Sequence, residues 1–133
     1  MLANTLTLAG DLSANRVTKW IGARALHSVG FAIHTPGATG ATNGTWSFEG
    51  SNDPQVAYEL SAGTAQDSST AKKVALTVTV IHGSSLVVAG AQSDSLVILV
   101  DLPRYVRAKW TATSGGTGCV PSIFTSGEVG NQG

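Results

Sequence analysis

The sequence predicts an all-β chain folded as one antiparallel β-sandwich, jelly-roll-like, with a closed barrel as the main rival architecture. Three observations predict it. Apolar residues alternate with polar ones in several short runs, as in strands with one buried face. Clusters of Gly, Ser, Asn, Asp and Pro separate these runs at spacings of about ten residues. No segment sustains a helical period.

Taken in order, Leu6 and Leu8 alternate with Thr5 and Thr7, a first strand. From Gly10 to Ala25 the pattern is ambiguous, with Trp20 and Ile21 as anchors in a polar connection. His27, Val29, Phe31 and Ile33 alternate with Ser28, Gly30 and Ala32, and the loop TPGATGATNG leads on into Thr45 to Glu49. Those two strands read as a hairpin with a long exposed loop. In the second, Trp46 and Phe48 share one face, and Gly50-Ser51-Asn52-Asp53-Pro54 stops the strand with residues that favour turns. Ala57 to Leu60 reads as a weaker strand and SAGTAQDSST as a polar loop. Lys73 to Ile81 is the strongest strand signal, with Val74, Leu76, Val78 and Val80 on one face. Leu86 to Ala89 and Leu96 to Val100 read as short buried runs. Arg104 to Thr113 is a long strand carrying Val106, Ala108, Trp110 and Ala112 toward the core, and Pro121 to Thr125 is a last one. The count is about seven to nine strands.

At 133 residues the chain suits a single domain over 1–133, with extended arms expected at 1–9 and 120–133. Acidic and basic residues together make only 12% of it, and the formal net charge is zero. The basic residues are scattered, only Arg104, Arg107 and Lys109 approaching a cluster, so a nucleic-acid partner is not expected. So little charge suits a surface of Thr, Ser, Ala and Gly that packs against other subunits. The start MLANTLTLAG has neither the basic region nor the apolar run of a signal peptide, and the longest apolar run, Leu96 to Val100, is too short for a membrane span. Residence in a cytoplasm-like compartment is the expectation.

Catalytic and metal signatures are sparse. His27, His34 and His82 form no HxH pair, and no HExxH or CxxC occurs, so no metal and no cofactor is expected. There is no GxSxG elbow and no Gly-rich loop that opens a helix, although a Ser-His-Asp set assembled in space is not visible to such a scan. The carboxylates sit mostly at turns, where they cap backbone groups, and no enzyme activity is expected. Asn52 and Asp53 offer two contiguous oxygens where calcium takes six to eight, so an Asx-type turn is the reading there. Cys119, the lone cysteine, reads as a half-buried small residue.

GTWSFEGSNDP, followed far downstream by LPRYVRAKWTATSGGTG, resembles a pattern of bacteriophage virion proteins, in which a strand ending in EGSND pairs with a late RYVR strand. It is also similar to discoidin-type β-sandwiches. Trp46, Gly50, Ser51, Asn52 and Asp53 match the first motif, and Arg104, Tyr105, Val106 and Arg107 the second. Pro54 stands where the discoidin pattern has Gly, and the paired cysteines of secreted discoidin domains are missing. The resemblance implies a head decoration or cement protein that bridges major capsid subunits from the capsid surface, made in the host bacterial cytoplasm. A homotrimer at local three-fold positions is the expected form. The alternative is a tail or spike protein that binds host-surface carbohydrate. On this reading Trp46, Phe48, Val78, Val106 and Trp110 form the core. Leu2, Leu6, Leu8, Val120, Ile123 and Phe124 are the candidate assembly contacts.

Overall fold

The computed structural model describes residues 2–36, 42–83 and 86–129. Eleven strands, one helix and one 3-10 turn follow in the order β1 (Leu2–Leu6), β2 (Arg16–Val17), β3 (Ile21–Gly22), β4 (Leu26–Thr35), β5 (Asn43–Ser51), α1 (Gln55–Ala62), a 3-10 turn (Gln66–Ser68), β6 (Val74–Ala75), β7 (Thr79–Gly83), β8 (Val87–Ala89), β9 (Ser93–Leu99), β10 (Tyr105–Ser114) and β11 (Ser122–Val129). Among the described residues every strand pairing is antiparallel. One sheet runs β1-β11-β4-β9-β7; the other runs β2-β10-β5-β6, with β3 also on β10 and β8 also on β5.

The pairing has a simple order. The first strand meets the last, and pairing then works inward: β1 with β11, β2 and β3 with β10, β4 with β9, and β5 with β8. Successive pairs alternate between the two sheets, as in a long two-ply ribbon rolled up into a sandwich. This is a jelly-roll arrangement, and the sandwich is the architecture rather than the barrel.

Alternation places the core between the sheets. Val29, Phe31, Ile33, Val97, Leu99 and Ile123 point inward from one sheet, and Trp46, Phe48, Val88, Val106, Ala108 and Trp110 from the other. Phe31 and Phe48 join the layers, with ring centroids 4.9 Å apart and planes inclined by 51°. Both indoles of this core have partners for their N–H groups: Trp46 Nε1 donates to Thr35 Oγ1 at 3.0 Å and Trp110 Nε1 to the Leu12 carbonyl at 3.0 Å.

Several expectations are corrected. The strands around residues 27–35 and 43–51 form no hairpin. β4 lies between β11 and β9 in one sheet, and β5 lies in the other; periodicity defines a strand but not its partner. The run from Lys73 to Ile81 is not one strand. β6 pairs with β5, and β7 pairs with β9 in the opposite sheet. The chain crosses between layers at Leu76 to Val78, so Val78 is only half-buried. The runs at 86–89 and 96–100 are not uniformly buried: Val87, Leu96 and Val100 are exposed.

Ala57 to Leu60 belongs to a helix. Pro54 stands at its N-cap, and Gly63 closes it at φ 70° with its N–H turned back to the last-turn carbonyls. Within the segments expected as arms, Leu2–Leu6 and Ser122–Val129 are β1 and β11, which pair from Leu2↔Gly127 to Leu6↔Ile123.

Candidate functional site

The outward faces of the two sheets differ. The face of the β10–β5 sheet is covered by its own chain. Where β5 ends, Asn52 Oδ1 accepts the Arg104 N–H at 2.8 Å, while Asp53 accepts Gln55 N–H at 2.9 Å and Lys72 N–H at 2.8 Å. All three bonds go to backbone amides, so the SNDP corner is an Asx-type turn that ties β5 to β10 and to residue 72. These bonds hold the Asp53 carboxyl below its usual range, the Lys72 amide first and the Gln55 amide second.

From that corner, α1 and the residues after it fold back over the sheet. Val56, Ala71 and Trp20 bury against one another, with Tyr105 packed alongside. Glu59, 5% exposed, is their clamp. It accepts from Ser69 Oγ at 2.5 Å, Thr70 N–H at 2.9 Å, Gln55 Nε2 at 3.3 Å and Thr70 Oγ1 at 3.3 Å. Burial pushes its carboxyl upward, but these bonds, Ser69's first, outweigh it and the net direction is down. Arg107 is buried beneath this cover, 4% exposed, its guanidinium 4.2 Å from the Trp20 ring centre.

The face of the β11–β4–β9 sheet is open: among the described residues no segment packs across it. The register sets Thr5, Phe124, Ala32 and Leu96 in one row across β1, β11, β4 and β9. Phe124 is 54% exposed and Leu96 40%. Ala32 stands between them, and the step from large to small to large leaves a shallow groove of about 300 Å³ that also touches His34 and Asp94.

A neighbouring row brings together three groups of interest. Ser122, His34 and Asp94 are register partners on adjacent strands, and His34 Nδ1 pairs with Asp94 Oδ1. That bond, with a second from Gln92, holds the Asp94 carboxyl below its ordinary range. The residue types match a hydrolytic triad; the geometry does not complete one. Among the described residues no hydrogen bond joins Ser122 to His34, and the row lies on an exposed sheet face with no enclosing donors for an oxyanion.

Gly50, Ser51, Tyr105, Val106 and Arg107 lie in the register where β5 and β10 pair, Gly50 opposite Val106 and Ser51 opposite Tyr105. Of the assembly contacts, Ile123 is corrected: it is fully buried, because β11 turns it inward. Leu6 and Leu8 are half-buried against the same core. Val120 and Phe124 are exposed, and the side chain of Leu2 lies outside the described residues. His27 is the extra residue at a bulge in β4, between Leu26 opposite Val129 and Ser28 opposite Glu128, and it is exposed; the side chain of His82 also lies outside the described residues. Cys119 is buried, more fully than expected, with its Sγ 3.8 Å from the Pro36 carbonyl. Among the described residues no three of His, Cys, Asp and Glu group as metal ligands, and no helix is long and apolar enough to cross a membrane.

Sequence reasoning missed Ala32 and Leu96 as surface groups and Trp20 and Glu59 as the cover. The cover had one legible signal, Asp53-Pro54 before and Gly63 after an eight-residue stretch. Comparison with protein-family models, with curated proteins and with solved structures returned no match.

Proposed function

We propose that this chain is a structural virion protein, a decoration or cement protein that seats on the outside of a phage head and bridges major capsid subunits. One observation carries the reading: the chain spends a whole excursion covering one sheet face, yet leaves the other open with Phe124 and Leu96 exposed around a groove. An exposed apolar face marks a contact surface. The low charge of the chain and the resemblance of its two paired motif strands to virion proteins support the same reading. As a homotrimer at local three-fold positions, the protein gains avidity from three linked contacts, each weak alone.

The test is fractionation of purified virions, with cryo-microscopy of intact particles, on wild type and on a variant carrying Phe124→Asp and Leu96→Asp. The expected outcome is wild-type protein on the head and a variant that folds normally but fails to attach. Attachment of that variant at the wild-type level removes the open face from the contact. Protein found only at a tail tip, together with affinity for a glycan on an array, replaces the cement role with carbohydrate binding.

A further inference from the structure

A second feature lies on the covered side of the sandwich and does not depend on the cement reading. Where the cover meets β2 and β10, a cleft of about 200 Å³ is bordered by Arg16, Lys73, Arg107 and Lys109, with Asp67 and Ser69 beside them. The chain has eight Lys and Arg residues in all and no formal net charge. Half of its permanent cations therefore border one small cleft.

Of the residues that line the cleft, only Asp67 is acidic. Arg107 Nη2 stands 2.8 Å from Glu49 Oε1, Lys109 Nζ 3.6 Å from Glu49 Oε2, and Arg16 Nη1 3.5 Å from Asp67 Oδ2. Lys73 Nζ donates to the carbonyls of Ala71 at 2.9 Å and Ser69 at 3.3 Å, which are dipoles and carry no net charge. Four cations thus line the cleft against a single lining carboxylate, Asp67, while Glu49 pairs with Arg107 and Lys109 from outside the lining. Asp11 keeps its negative charge beside Arg16 while it accepts from Ser13 and the Gly118 N–H, and Glu59 accepts from Ser69 Oγ, but neither carboxylate lines the cleft.

The site is also pre-arranged. Arg107 is held by Glu49 on one side and the Trp20 ring on the other, so a rigid guanidinium stands behind more exposed cations. Arg16 keeps 23% and Lys109 40% of their side-chain surface open, so an incoming ion can reach them. A cleft lined mainly by cations concentrates a positive field at its mouth. We propose that this cleft binds a dianionic tetrahedral oxyanion, a phosphate or sulfate group.

The experiment is an amide NMR titration of the full chain with inorganic phosphate and with sulfate, at ionic strength held constant with sodium chloride. Saturable shifts confined to residues near 16–17, 67–73 and 107–110 are expected with both ions. Phosphate is expected to bind more tightly as pH rises from about 6 to 8, since the second ionisation of inorganic phosphate lies near pH 7, about a unit above that of a phosphate monoester. Sulfate, a dianion throughout this range, is expected to show no such change. Lys73→Gln with Lys109→Gln should weaken both ions at least about tenfold, following the loss of two of the four lining cations. Lys109→Gln alone gives an independent reading should the double variant unfold. Non-saturable shifts spread equally to Lys72 and Arg104 would overturn the proposal, as would unchanged affinity in either variant.

Discussion

Trp46 and Trp110 lie directly opposite each other on β5 and β10, their ring centroids 4.9 Å apart and their planes inclined by 54°. The pair is fully inside the sandwich and joins the two sequence motifs at one register point. Gly44 makes room for it: a Cβ there would run into the Trp110 ring and the Thr111 carbonyl. Trp46→Ala should lower stability by about 3–5 kcal/mol, the range for large aromatic truncations. Gly44→Ala should cost about 1–3 kcal/mol by overpacking. Denaturant unfolding of both variants measures these values, and a loss under 1 kcal/mol for Trp46→Ala would place the indole outside the core.

Three positions along the same strand pair, Glu49 faces Arg107. The guanidinium gives Nε and Nη2 to Glu49 Oε1 at 2.9 and 2.8 Å, with Arg107 almost wholly buried. Glu49→Ala leaves that cation without its carboxylate, and a loss of about 3–5 kcal/mol is expected. Replacing both residues, as in Glu49→Ala with Arg107→Met, should cost less than the two single changes added together. Additive losses in that double-mutant cycle would show that the two side chains act separately.

Acid should find the turn carboxylates before the core. Hydrogen bonds from the Ser13 hydroxyl, the Gly118 N–H and the Ser13 N–H lower Asp11 to about 2, and Asp53 and Glu59 are lowered as well. A carboxyl whose folded pKa lies below its unfolded value, roughly 4, binds protons more readily in the unfolded chain. Its contribution is therefore complete above that value and is lost as pH falls toward the folded one. Stability should be level near neutrality and decline from about pH 4 toward pH 2. Asp11→Asn and Asp53→Asn should each be less stable at pH 7 and show a shallower decline. Parallel curves for wild type and both variants would exclude these carboxylates as its origin.

Thr42 opens the return into β5 fully buried, and its hydroxyl has no hydrogen-bond partner among the described residues. A buried hydroxyl without a partner carries its desolvation cost uncompensated. Thr42→Val should raise stability by about 1 kcal/mol. A fall in the midpoint of thermal unfolding would reveal a partner for that hydroxyl.

How much of this was legible beforehand depends on the range of the interaction. Trp46, Phe48, Val106, Ala108 and Trp110 could be assigned to the core from alternation alone, because side chains two apart on a strand share a face. The SNDP corner was legible for a similar reason, since the bond from Gln55 N–H to Asp53 is local to the turn, whereas the Arg104 and Lys72 amides reach it from distant segments. The helix was missed because only Val56 and Glu59 of its eight residues are buried, too few for a period, and one of them is charged.

The sequence by itself determined that the chain is an all-β sandwich, which residues turn inward on its longest strands, and where the sharpest corner falls. These follow from neighbours in the chain. The tertiary structure decided the rest. Antiparallel pairing accepts any strand whose apolar face matches, so only the rolled topology put β4 and β5 in different sheets, split Lys73 to Ile81 between layers, and turned Ile123 inward. The same topology left Phe124 and Leu96 on an open face, and it drew Arg16, Lys73, Arg107 and Lys109 around one cleft. Those four cations span 94 positions of the chain, from 16 to 109. No local pattern connects them, because a charged cleft is made by strands that meet only after both sheets have closed.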